Sequence, residues 1–179
     1  IKEDAVELPA RIYLFQGLPK ADKMELIVQK AVELGVYEVI PVTVRRCVVK
    51  LDGKKAAGKV GRWQGIAEAA AKQSKRGIIP QVHSVMGMRE AVEYASGMEV
   101  KLIPYELAED MRRTREIIEA VGPGADIAVF IGPEGGFEPG EIQMALEAGI
   151  EPVTLGRRIL RTETAGLTVL SWLMYHLES

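Results

Sequence analysis

Cysteine and histidine are nearly absent from this chain: Cys47 stands alone, and His83 and His176 lie far apart. A single thiol closes no internal disulfide and two separated imidazoles make no ligand cluster, so neither a disulfide scaffold nor a zinc enzyme is expected. No apolar run approaches the roughly eighteen residues that a membrane span needs. The opening IKEDAVELPA has neither the basic nor the apolar segment of a secretory leader. The expectation from these absences is a cytoplasmic, reducing compartment, with no membrane and no metal. What is present suits a globular chain: 179 residues, 47% hydrophobic and 27% charged, enough for about one domain with its own core. The same composition excludes intrinsic disorder.

The net charge of -2 conceals an asymmetry. Residues 45–76 hold ten bases (Arg45, Arg46, Lys50, Lys54, Lys55, Lys59, Arg62, Lys72, Lys75 and Arg76) against Asp52 and Glu68, and the remainder holds 13 bases against 23 acids. A solvated face usually mixes signs. A block this one-sided is a candidate footprint for a polyanion, the plainer alternative being a basic loop beside an acidic body.

Strands alternate with helices along the chain. Residues 10–16 (ARIYLFQ), 36–44 (VYEVIPVTV), 80–85, 99–104 and 151–155 read as strands, and the continuous apolar run 125–131 (ADIAVFI) reads as a central parallel one. Asp22 with Glu25 suggests a capping box for a helix that Gly35 stops. A loop with Gly53, Gly58 and Gly61 is expected before a helix at about 60–75, with Val60, Trp63, Ile66, Ala67 and Ala70 on one face. Further helices are expected at 87–95, 109–121, 139–148 (opening on Pro139) and 163–177, the last with Leu167, Leu170, Leu173, Met174 and Leu177 inward. The predicted class is α/β with a mostly parallel sheet and flanking helices.

Ligands in such sheets bind at the carboxyl ends of strands. Two loops there stand out. Ile131-Gly132-Pro133-Glu134-Gly135-Gly136-Phe137 permits close backbone approach to a ligand. It matches no phosphate-binding fingerprint, and Glu134, Glu138 and Glu141 would oppose a phosphate. A tight turn using glycine for geometry alone is the competing reading. Leu155-Gly156-Arg157-Arg158-Ile159-Leu160-Arg161-Thr162-Glu163-Thr164-Ala165 precedes the last helix, where Thr162 or Thr164 suits a cap. Its three arginines stand before a helix amino terminus, where the macrodipole disfavours them. An anionic partner would remove that conflict.

Together IGPEGGF (131–137) and LGRRILRTETA (155–165) closely resemble the RsmE family, SPOUT-class 16S rRNA uridine-N3 methyltransferases. Further matches are QKAVELGV (29–36), the pair Arg46–Cys47, Trp63, and EAAAKQSKR (68–76) before Pro80. The resemblance spans about residues 10–177. It implies a SPOUT fold whose carboxyl-terminal segment threads a deep trefoil knot, S-adenosyl-L-methionine bound in bent form, and a homodimer with sites near the subunit interface. Family members normally carry an amino-terminal PUA-like RNA-binding domain. The chain opens on Ile1, so the expectation is a methyltransferase domain over 1–179, with 1–9 the remnant of a linker from that missing domain. Arg157 departs from the family's usual Gly-Pro-Arg and leaves Arg158 in place.

On this resemblance, Gly132, Pro133, Glu134, Gly135, Gly136, Leu155, Gly156, Ile159, Leu160, Arg161, Thr162 and Thr164 are the candidate cofactor residues, with Ile103 and Pro104 as a third wall. A sulfonium cation tolerates Glu134 where a phosphate would not. Arg161 is the candidate to stabilise charge developing on the uracil oxygens, and Glu163 is the candidate base. An alternative for Glu163 is a cap or a pair with Arg161. Arg45, Arg46, Lys72, Lys75 and Arg76 are expected to contact the backbone of 16S rRNA or the small ribosomal subunit. Cys47 and Trp63 are expected in the core. Two other functions compete: an RNA-binding module without activity, which retention of Arg161 and Glu163 disfavours, and a Rossmann-type nucleotide enzyme, whose glycine loop would follow the first strand.

Overall fold

A computed structural model describes residues 6–105 and 110–179. Its seven strands form one sheet in the order β3-β2-β1-β6-β5-β7, with β4 also pairing β2, and every pairing among the described residues is parallel. The strands are β1 (Arg11–Gly17), β2 (Glu38–Thr43), β3 (Gln81–Val82), β4 (Met86–Gly87), β5 (Val100–Pro104), β6 (Asp126–Ile131) and β7 (Glu151–Val153). The helices are α1 (Lys23–Glu33), α2 (Gly53–Gln73), α3 (Met88–Tyr94), α4 (Met111–Ala120), α5 (Pro139–Glu147) and α6 (Thr162–Glu178). Residue 109, the expected start of α4, lies outside the described residues.

The most apolar runs occupy the centre of the sheet because only there are both faces covered. Phe15 of β1 is in register with Phe130 of β6, and their rings stack at 4.4 Å. Cys47 and Trp63 are buried as expected, and burial pushes the Cys47 thiol up. In α6 the buried stripe is Ala165, Gly166, Val169, Leu170 and Leu173, whereas Leu167 and Leu177 are half-buried.

Two local expectations need correction. The stretch with Gly53, Gly58 and Gly61 is helix, not loop. The Asp52 side chain accepts from the Lys55 N–H at 2.9 Å, and packing of α2 along α1 offsets the glycine penalty. Asp22 precedes α1 without a side-chain cap, and Glu25 pairs with Arg62 instead. Within residues 6–9, Leu8 packs on the core, and the Pro9 carbonyl accepts from Gly124 N–H at 2.7 Å. Residues 1–5 lie outside the described residues.

A Cβ built on Gly58, Gly61 or Gly65 meets nothing within 4 Å. Each Gly→Ala change should therefore stabilise the fold by about 0.5–1 kcal/mol through helix propensity alone. Thermal unfolding of the triple variant checks this, and a lowered midpoint would mean that the bare face is needed for packing.

Candidate active site

The start of α1, the end of β5 at Pro104 and Tyr105, and the segments that follow β6 and β7 meet at the carboxyl edge of the sheet. This is the crevice at which parallel α/β sheets bind ligands. A cleft of about 490 Å³ opens there.

Its floor is held by a buried polar tie. Gln16, fully buried at the end of β1, donates from Nε2 to the Gly17 carbonyl at 2.9 Å and to Thr162 Oγ1 at 2.8 Å. Thr162 Oγ1 in turn donates to the Gly132 carbonyl at 2.7 Å. Three segments distant in sequence are thereby joined, and a buried amide gains most of its partners. Gly17 is required for this approach, since a Cβ there would lie 2.6 Å from Pro133 Cδ. Thr162 is thus spent on the tie. Neither it nor Thr164 caps α6, and the N-cap position belongs to Arg161, whose carbonyl accepts from the N–H groups of Thr164 and Ala165.

The cleft brings together Pro104, Gly132, Pro133, Glu134, Gly135, Gly136, Ile159, Leu160, Arg161 and Thr162 of the expected cofactor set. Ile103 is fully buried in β5 and its side chain forms no wall; Pro104 and Tyr105 do. Leu155, Gly156 and Thr164 lie outside the lining.

Lys23, Arg46 and Tyr105 also line the cleft. Lys23 was not expected there, although a base in the first turn of a helix opposes the dipole as the arginines before α6 do. Its ammonium lies 2.8 Å from Glu134 Oε2 and 3.9 Å from Glu163 Oε2. Burial pushes the Glu134 carboxyl up, but Lys23 and the N–H groups of Glu134 and Lys20 outweigh it and hold the group below the usual carboxylate range. Glu134 is an anion at neutral pH. Glu163 Oε1 is buried without a partner among the described residues. Glu163 therefore neither caps α6 nor pairs with Arg161.

The expected RNA-contacting residues separate. Arg46 lines the cleft and donates to the Gly135 carbonyl at 3.1 Å. Arg45 is exposed, with Nε 3.6 Å from Glu138. Because α2 leaves the carboxyl edge and runs back over 21 residues, Lys72 and Lys75 stand roughly 30 Å from its start. Both are exposed. Arg76 is no surface base: its side chain is 4% exposed, pairs with Glu7 at 2.6 Å and donates to the Val32 and Val36 carbonyls. Among the described residues no three His, Cys, Asp or Glu side chains gather as metal ligands would, and no helix is long and apolar enough to cross a membrane.

Comparison with known proteins agrees with this geometry. Residues 6–174 match the family model described as an RNA methyltransferase domain. The ribosomal RNA small subunit methyltransferase E of Bacillus subtilis is 38% identical over 175 residues, covering 96% of this chain and 68% of that protein. Its counterpart in Mesomycoplasma hyopneumoniae is 35% identical, covering 90% of this chain and 68% of that protein. The crystal structure of the Neisseria gonorrhoeae enzyme of the same name, bound to S-adenosyl methionine, superposes with a TM-score of 0.82 at 41% identity, covering 93% of this chain and 66% of that one. The chain belongs to the RNA methyltransferase family of which these small-subunit enzymes, the RsmE proteins, are members.

Proposed function

We propose that this chain transfers a methyl group from S-adenosyl-L-methionine to N3 of a uridine in 16S ribosomal RNA, in the cytoplasm. The observation that carries the reading is an ionised Glu134 set in a glycine-rich cleft where the loops after β6 and β7 converge. The cleft suits a small ligand in size. Gly136 has a φ of +73°, a backbone conformation that favours glycine and shapes the turn beside the cleft. A phosphate would meet Glu134 unfavourably, whereas a cation would not.

When bound, S-adenosyl-L-methionine supplies an electrophilic methyl group whose C–S bond breaks with its electron pair going to sulfur. The chain's own residues do the rest. Pro104, Ile159 and Leu160 offer apolar surface to an adenine, and Glu134 faces the positive charge. Glu163 takes the N3 proton as the N3 electron pair forms the new bond to carbon. Arg161 stabilises negative charge on the uracil carbonyl oxygens. Holding the partners in line is the main contribution, because no covalent enzyme intermediate is required.

In this reading residues 1–179 make up the SPOUT methyltransferase domain. The trefoil knot is supported by topology: β7 lies beyond β5 at the sheet edge, yet α6 returns to pack on α1, β1 and β6, so 154–161 must pass the 131–137 loop. A homodimer is supported by exposed apolar groups. Ile159 is 94% exposed, and Tyr175 with Met111 borders a groove of about 670 Å³ between α4 and α6. Arg45, Arg46 and the cleft-side Lys54, Lys55 and Lys59 would meet the RNA backbone, with Lys72 and Lys75 reaching more distant phosphates.

Small ribosomal subunits lacking the modification, incubated with the protein and methyl-labelled S-adenosyl-L-methionine, should yield 3-methyluridine on nucleoside mass spectrometry. Label on another base would overturn the N3 assignment. Absence of calorimetric binding at millimolar cofactor would overturn the cofactor itself.

A further inference from the structure

We infer that Lys23 is a positioning residue for methyl transfer, a shared ammonium that joins Glu134 on the cofactor side of the cleft to Glu163 on the acceptor side. The inference rests on the function proposed above. Its basis is geometric. The two carboxylates come from the β6–α5 loop and the first turn of α6, segments with no direct hydrogen bond between these side chains. Lys23, from the first turn of α1, is within reach of both, and all three side chains are largely withdrawn from solvent. The charged groups around it are Glu134, Glu163, and, lining the same cleft, Arg46 and Arg161.

The two contacts differ in a way that matters. Glu134 is fully engaged, accepting from Lys23 at 2.8 Å and from the Lys20 N–H at 3.1 Å. Glu163 lies at 3.9 Å, beyond hydrogen-bond length, and its other oxygen has no partner. A buried acceptor left unmatched costs about 1–3 kcal/mol. Such a group keeps its capacity for one further donor. Lys23 lies close enough to Glu163 to orient its carboxyl group, yet at 3.9 Å does not occupy the lone pairs that must receive the proton. A full salt bridge would weaken it as an acceptor. No cation at all would leave two nearby carboxylates repelling one another.

Lys23→Met removes the ammonium and keeps a similar stem, and Lys23→Arg restores the charge. With carboxyl-labelled glutamate, Lys23→Met should move two carbonyl resonances at neutral pH, those identified as Glu134 and Glu163 by Glu134→Gln and Glu163→Gln. Glu134 should also titrate at higher pH than in the parent protein. In single-turnover methylation with saturating cofactor and RNA, Lys23→Met should slow the step at least about tenfold with RNA affinity unchanged, and Lys23→Arg should recover most of the rate. If only the Glu134 resonance moves, or the rate stays at the parent value, Lys23 is no more than an ion-pair partner of Glu134 and the inference fails. Should Lys23→Met not fold, the Lys23 ammonium nitrogen signal of the parent protein replaces it: Glu163→Gln must shift that signal, and an unshifted signal overturns the bridge. Paired resonance changes in Lys23→Met, together with a parent protein that methylates no ribosomal RNA, would instead overturn the proposed function.

Discussion

Arg161→Ala is expected to slow single-turnover methylation by about two to three orders of magnitude while leaving RNA affinity within a few-fold. The backbone of Arg161 is anchored at the head of α6 by two N–H donors, so its position is set by the helix and not by a flexible loop. Its side chain lines the cleft and makes no ion pair among the described residues. A guanidinium that donates to the developing oxyanion stabilises charge present in the transition state and not in the ground state, so removing it lowers the rate and not the affinity. A purely structural role would appear in the melting temperature, and a phosphate contact in the salt dependence of binding. The decisive comparison is the rate at saturating RNA: if Arg161→Ala then matches the parent protein, the arginine belongs to the RNA-binding surface.

Arg76→Ala should lower the unfolding free energy by about 3 kcal/mol, the usual loss when one member of a buried ion pair is removed. Three acceptors lose their donors at once: the Glu7 carboxylate and the Val32 and Val36 carbonyls at the end of α1. Replacing exposed Lys72 and Lys75 should change stability by less than about 0.5 kcal/mol and instead flatten the salt dependence of RNA binding. Urea denaturation of both variants, followed by RNA binding across a salt series, separates the two roles. Equal stability of Arg76→Ala and the parent, with weakened RNA binding, would return Arg76 to the surface.

The alternation of strands and helices, the central position of 125–131 and the two loops of the cleft were legible because they are written in local patterns. Apolar runs, glycine clusters and a Pro139 start report on the few residues around them. Conversely, α2 was shortened at its start because its glycines argue for a loop locally. What makes them helical is the packing of Trp63, Ala67, Ala70 and Ala71 against the rest of the fold. Long-range contacts overrode propensity there.

The same distinction runs through the site. Residue types alone marked a carboxylate in a glycine loop and arginines before a helix as features that need a reason, while the roles given to Arg161 and Glu163 came from the family resemblance that the two loops carry. Periodicity does not say which of the three bases around one helix end is buried, so Arg76 read like Lys72 and Lys75. Nor does it reveal that Gln16, Thr162 and Gly132 join, or that Lys23 stands between two glutamates. Lys23 and Glu163 are 140 positions apart in sequence and 3.9 Å apart in space, and only the closure of the parallel sheet around β1 and β6 brings them together. Interactions of that separation depend on the path of the whole chain, and no local pattern encodes that path.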